Sequence, residues 1–155
     1  MSLNSLANRL GHLGCWEEAL APGQEATDTY RELAKSRPDT HLPHLAMSLN
    51  NLANQLGHLG RREEALIAGQ EATEIFRELV RTRPNTHLPH LAGSLNTLAV
   101  QLGGCGRSEE ALASAREAVA LYEGLALLRP AVYGPALEKA LMLQSLLQQA
   151  VEGGS

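Results

Sequence analysis

Two pairs of histidines have the spacing of a metal site. His44 follows His41 by three residues, and the pattern recurs at His87 and His90. Imidazoles three residues apart can share one face of a helix, and histidine is a common zinc ligand. A proline stands inside each pair, however, and no cysteine or acidic residue completes a ligand set. The pattern therefore predicts packing between helices, and we expect no metal and no cofactor.

Adjacent glutamates raise the question of acid–base chemistry. Neighbouring side chains on a helix point in different directions, so two such carboxylates do not converge on one substrate atom. At a helix start they instead suit the positive end of the helix dipole. No phosphate-binding glycine loop, nucleophile motif or cofactor fingerprint occurs either, so we predict that the chain is not an enzyme. The pairs are Glu17–Glu18, Glu63–Glu64 and Glu109–Glu110.

Composition and charge exclude several other classes of protein. The 155 residues include 17 acidic and 13 basic side chains, so no basic surface is available for nucleic acid. No apolar run approaches the roughly 18–20 residues that cross a bilayer, which predicts no membrane contact. Two distant cysteines, Cys15 and Cys105, make no disulfide framework, and a cytoplasmic location is the expectation.

The chain repeats itself every 46 residues, beginning at the Ser-Leu-Asn triplets of 2–4, 48–50 and 94–96. Residues 2–47 match residues 48–93 at 32 of 46 positions. Repeats of this length usually stack on their neighbours, because one unit cannot bury its own apolar face. We therefore predict a single domain over residues 1–151, with repeats at 2–47, 48–93 and 94–139, a C-terminal capping helix at 135–151 and a flexible tail at 152–155.

Each repeat predicts two helices. In the middle copy the apolar residues from Leu45 to Leu59 are spaced by three and four, which is one face of a helix. A second helix starts near Arg62 and must stop near Thr82, because the residue before Pro84 avoids the α region. Short connections make consecutive helices antiparallel. We predict an all-α protein of seven helices, at 2–13, 16–36, 42–59, 62–82, 88–104, 108–128 and 135–151.

The last predicted helix differs from the others because glutamines replace leucines of the repeat. Its exposed side is expected to carry Glu138, Lys139, Gln148 and Gln149. A terminal helix with a polar outer face is how repeat arrays end without sticking together. The sequence therefore predicts a cap.

The spacing of leucines and small residues along each hairpin resembles that of the tetratricopeptide repeat family. The 46-residue length is similar to the long repeats of kinesin light chains and of large bacterial signalling proteins. The resemblance implies a right-handed α-solenoid whose inner groove is lined by the first helix of each hairpin. It rests on Leu49, Leu52, Ala53, Leu56, Gly60, Ala65 and Ala72 of the middle copy and on the same positions of the other two copies.

The resemblance also implies a binding site. A carboxamide offers both a donor and an acceptor, so a column of asparagines can bond the backbone of an extended peptide of any sequence. Recent duplication would also repeat residues without a use, so ordinary solvation of these side chains stays open. The positions that match the family's groove are Asn4, Asn8, Asn50, Asn54 and Asn96, and His12 and His58 extend the same face.

The expected function is a protein-interaction scaffold that binds a peptide or a partner protein, as a fragment of a larger signalling or regulatory protein. An alternative is a structural spacer that self-associates. The first copy lacks the Leu-Pro-His-Leu-Ala lead-in of the others, so an open N-terminal end at residues 1–14 would stack on another copy. A third reading is the regulatory array of a protein with an effector domain elsewhere, which rests on the resemblance alone.

Overall fold

The computed structural model describes Leu3 and residues 16–153, and helices account for nearly all of them. No strand occurs among these residues, so the predicted all-α fold is confirmed. The predicted first helix at 2–13 lies outside the described residues, apart from Leu3. The six helices are α1 (Trp16–Ser36), α2 (Pro38–His58), α3 (Arg62–Thr82), α4 (Pro84–Gly104), α5 (Ser108–Leu128) and α6 (Pro130–Gly153).

The predicted starts of α2, α4 and α6 were wrong. These helices begin at Pro38, Pro84 and Pro130 instead of at residues 42, 88 and 135. Proline is favoured at the first helical position, because its fixed φ suits the helix and its missing N–H would be unpaired there anyway. The sequence prediction gave that role to Pro43, which instead lies inside α2.

The connections between repeats are correspondingly short. The predicted four-residue turn from Arg83 to Thr86 is wrong, because only Arg83 lies outside the helices. Its φ of −137° and ψ of 71° are non-helical, as expected for a residue that precedes a proline. Arg37 has nearly the same conformation before Pro38. One extended residue therefore suffices to reverse the chain.

The turns inside the hairpins depend on a glycine. Gly60, after α2, has a φ of +79°, a conformation that side chains with a Cβ rarely adopt. The N–H of Arg61 donates to the carbonyl of Leu56 at 2.9 Å, which closes the end of the helix as in a Schellman motif. Gly106, after α4, repeats this with a φ of +77°.

The chain divides into two compact units, Met1–Ile75 and Phe76–Ser155. In the first unit α1 and α2 run antiparallel, since Trp16 at the start of α1 stacks on His58 at the end of α2. The apolar face of α2 forms a cluster with the alanines of α3. This cluster contains Leu45, Leu49, Ala53, Ala68 and Ala72. The single domain over residues 1–151 stays a prediction.

In the second unit α5 packs against both α4 and α6. Helix α6 continues through Glu152 and Gly153, two residues that we predicted to belong to the tail. The predicted polar outer face of α6 needs a correction, because its exposed side also carries Leu141, Met142 and Leu146. The apolar residues of α6 are too many for one buried stripe, so some of them face solvent.

Candidate functional site

Three of the predicted groove residues lie on α2 at intervals of four. Asn54 and His58 are exposed, and Asn50 is half-buried. The Oδ1 atom of Asn50 is buried and has no hydrogen-bond partner. Residues four apart share one face of a helix, so α2 presents a polar stripe of two carboxamides and an imidazole. We call Asn50, Asn54 and His58 the α2 stripe.

The second unit carries the equivalent residue of the next repeat on α4. Asn96 is half-buried, like Asn50, and its Oδ1 is also buried without a partner. Val100, four residues later, is exposed. The same carboxamide position is thus present with an unused acceptor in both units. Asn4, Asn8 and His12 lie outside the described residues.

An aromatic pair closes the end of the α2 stripe. The rings of Trp16 and His58 stack with centroids 3.9 Å apart and an interplanar angle of 8°. The repeat pattern could not reveal this pair, because the second copy has Arg62 and Gly104 at the two equivalent positions. The only available signal was the presence of the chain's single tryptophan where α1 begins.

The histidine pairs pack between helices. His44 stacks on Tyr30 of α1 at 5.3 Å, and His90 lies against Phe76 of α3 at 5.5 Å. His87 is buried, and burial together with the nearby charges of His90 and Arg83 lowers its pKa below the ordinary value. The part of the chain that the structure describes contains no group of three His, Cys, Asp or Glu side chains that could hold a metal ion.

Two arginine–glutamate pairs that sequence reasoning missed connect second helices of successive hairpins. Arg31 of α1 donates to both carboxylate oxygens of Glu71 in α3, at 2.6 and 3.2 Å. Arg77 of α3 donates likewise to Glu117 of α5, at 2.5 and 2.8 Å. The two pairs are equivalent in the repeat, so their periodicity was a usable signal. Which charges meet across 40 residues was not.

A depression of about 340 Å³ lies between α1 and α3 in the first unit. Its lining includes Leu49, Leu52 and Leu56 of α2 as well as the Arg31–Glu71 pair. It contains none of the predicted groove residues. It is therefore a feature of the surface formed by the second helices, and not part of the α2 stripe.

Comparison with known proteins identifies the repeat. A tetratricopeptide repeat family model matches residues 1–40, 45–83 and 91–125, which together cover well over half of the chain. A comparison with curated proteins found no match. Among residues 3 and 16–153, no helix is long and apolar enough to cross a bilayer.

Proposed function

Because the chain belongs to the tetratricopeptide repeat family, whose repeats generally mediate protein–protein interaction, we propose that it binds an extended segment of a partner protein along its asparagine-bearing helices. The family's repeats are generally non-catalytic modules. The proposed contacts are those of the α2 stripe and of Asn96, continued by Asn4, Asn8 and His12. We propose in addition that the chain serves a cytoplasmic signalling or regulatory protein.

The unused acceptors of Asn50 and Asn96 carry this proposal. A buried carbonyl oxygen without a donor destabilises a protein by about 1–3 kcal/mol. Turning either side chain toward a ligand breaks no hydrogen bond of its Oδ1, and a backbone N–H of the ligand would supply the missing donor. The two residues occupy equivalent positions in successive repeats, which suits a ligand that offers backbone groups at intervals.

Exposure and chemistry of the α2 stripe agree with this. Asn54 and His58 are open to solvent, so a ligand can reach them without a change in the backbone. The stacked rings of Trp16 and His58 offer an apolar surface next to hydrogen-bonding groups. A peptide side chain with an apolar or aromatic surface would fit beside this pair.

The test starts from a display library of unstructured random peptides, selected on the folded chain. Affinities of enriched peptides are then measured by fluorescence polarisation for wild type, Asn50→Ala and Asn96→Ala. Each lost carboxamide is expected to weaken binding by roughly 2–10-fold, since a hydrogen bond contributes about 0.5–1.5 kcal/mol. Asn85→Ala is the matched control, because Asn85 is an exposed asparagine in the first turn of α4.

Unchanged affinity in both variants would place the binding site on another surface. If the library yields no binding peptide, the self-associating spacer becomes the better function. That alternative differs in its partner, since a spacer binds copies of itself. The residues 1–14 to which it was assigned lie outside the described residues, apart from Leu3.

A further inference from the structure

Helix α6 is the equivalent of α2 and α4, displaced by one repeat length at each step. All three begin at a proline, and Leu141 of α6 stands at the position of Leu49 and Leu95. Leu49 and Leu95 are 2% and 0% exposed, whereas Leu141 is 44% exposed. The same position is covered in the inner repeats and uncovered in α6.

The inner repeats explain what covers this position. Leu49 and Ala53 of α2 pack against Ala68 and Ala72 of the next helix, α3. Helix α4 is covered by α5 in the same order. No helix follows α6 in the described chain, and its uncovered side borders a depression of about 430 Å³. We call this side the α6 face; it consists of Glu138, Leu141, Met142, Ser145 and Leu146.

The α6 face has become more apolar than its equivalents. Met142 stands where the earlier repeats have Asn50 and Asn96, and it is 68% exposed. Leu146 stands where the first of these repeats has Asn54, and it is 63% exposed. Burying a large apolar side chain contributes about 1.5–3 kcal/mol, so these replacements favour a covered state.

A helix arranged like α3 on α2 would not fit the α6 face. Glu138 and Ser145 replace Ala46 and Ala53, two alanines with 0% exposure at which α3 can approach α2 closely. A helix in that place would bury the carboxylate of Glu138 without a cationic partner, which is strongly unfavourable. The occupant must therefore cover the leucines and Met142 and leave Glu138 at the edge.

We propose that the occupant is the α6 face of a second copy of this chain, packed antiparallel in a twofold homodimer. With the axis between Leu143 and Gln144, Leu141 would lie opposite Leu146 of the partner subunit. Met142 would lie opposite Ser145 of the partner subunit, a large side chain against a small one. Isologous contacts of this kind are the commonest basis of homodimers.

The charges of α6 suit this arrangement. Glu138 would lie at the edge, opposite Gln149 of the partner subunit, whose carboxamide can donate to a carboxylate. Lys139 would lie opposite Gln148 of the partner subunit. No like charges would meet, so the face is complementary to itself. This surface is distinct from the asparagine-bearing stripe of α2 and from the N-terminal residues 1–14.

Sedimentation velocity over a wide concentration range tests the dimer. The mass of wild type is expected to rise from 16.6 kDa toward twice that value as concentration increases. The variant Met142→Glu/Leu146→Glu should weaken association about tenfold or more, because each dimer would bury four carboxylates. Circular dichroism of each variant establishes that it keeps its helicity.

Val100→Glu is the matched control, because Val100 is the exposed equivalent of Leu146 on α4. It should associate like wild type. A wild type that stays monomeric at every concentration overturns the proposal. So does a Met142→Glu/Leu146→Glu variant that associates as wild type does, since the contact would then lie elsewhere.

A charge-swap experiment tests the geometry. Met142→Lys and Met142→Glu should each be monomeric alone, because like charges would come within a few residues of each other at the axis. A mixture of the two should form a heterodimer, since opposite charges then face each other. A mixture that stays monomeric would overturn the antiparallel arrangement.

Discussion

Gly23 of α1 lies directly against the side chain of Gln55 in α2, so closely that a Cβ on Gly23 would overlap Oε1 of Gln55. Gln55 is 1% exposed, and neither Oε1 nor Nε2 has a hydrogen-bond partner. The absence of a side chain at Gly23 thus makes room for a polar group that gains nothing from its burial. The third copy has Ala115 and Leu147 at the two equivalent positions, both buried.

We predict that Gly23→Ala destabilises the chain and that Gln55→Leu offsets the loss. Alanine gains up to about 1 kcal/mol of helix propensity over glycine, but overpacking at a buried contact costs about 1–3 kcal/mol. Gln55→Leu alone should raise the free energy of unfolding, since it removes an unpaired buried carboxamide. Urea denaturation of both single variants and the double variant measures the coupling.

The coupling between the two substitutions decides this prediction. The double variant should be more stable than the sum of the single effects implies, because leucine lacks the Oε1 that the new methyl group would meet. Simple additivity, or a Gly23→Ala variant as stable as wild type, would show that Gln55 moves aside without cost.

Two glycines with open space around them should respond in opposite ways to alanine. A Cβ added at Gly60 or at Gly124 would meet no neighbouring atom of the described residues within 4 Å, so neither substitution creates an overlap. Gly60 has a positive φ, where a side chain costs about 1–2 kcal/mol. Gly124 lies inside α5, where alanine should gain up to about 1 kcal/mol. Thermal unfolding that moves in the same direction for both would contradict this assignment.

The sequence could predict those helix ends at which one signal acts alone. The bounds of α1, α3 and α5 were predicted correctly, since each is followed by a single Arg-Pro step that stops it. The starts of α2 and α4 were not, because each contains two prolines and both fit a first turn. Only packing shows that Pro38, and not Pro43, begins α2.

The candidate site was predictable only in part, for a related reason. Asn50, Asn54 and Asn96 came from their register in the repeat, which a sequence records. The stacking of Trp16 on His58 joins residues far apart in the chain and occurs in one copy only. The exposed side of α6 was also missed, because periodicity does not tell which of two apolar stripes a neighbouring helix covers.

The pair of Arg77 and Glu117 should contribute a small, salt-dependent coupling. Both side chains are nearly half exposed, so solvent screens the two parallel hydrogen bonds between them. A double-mutant cycle of Arg77→Ala and Glu117→Ala should give at most about 1 kcal/mol, decreasing at high salt. The Arg81–Glu78 contact, longer at 3.7 Å and more exposed, is the matched control and should give less. A coupling that is large and insensitive to salt would contradict a solvent-screened pair.

The stability of the second unit should fall as the pH is lowered through the range in which His87 titrates. Burial, with the charges of His90 and Arg83, lowers the pKa of His87 in the folded chain below its ordinary value near 6.5. The unfolded chain then binds the proton more readily, so the stabilisation is present above about pH 6.5 and is lost as the pH falls toward the folded pKa. His87→Phe keeps a ring at this position without a titrating group. Urea denaturation between about pH 7.5 and 5 should therefore show a steeper loss of stability for wild type than for His87→Phe, and parallel curves would mean that His87 is as easily protonated in the folded chain as in the unfolded one.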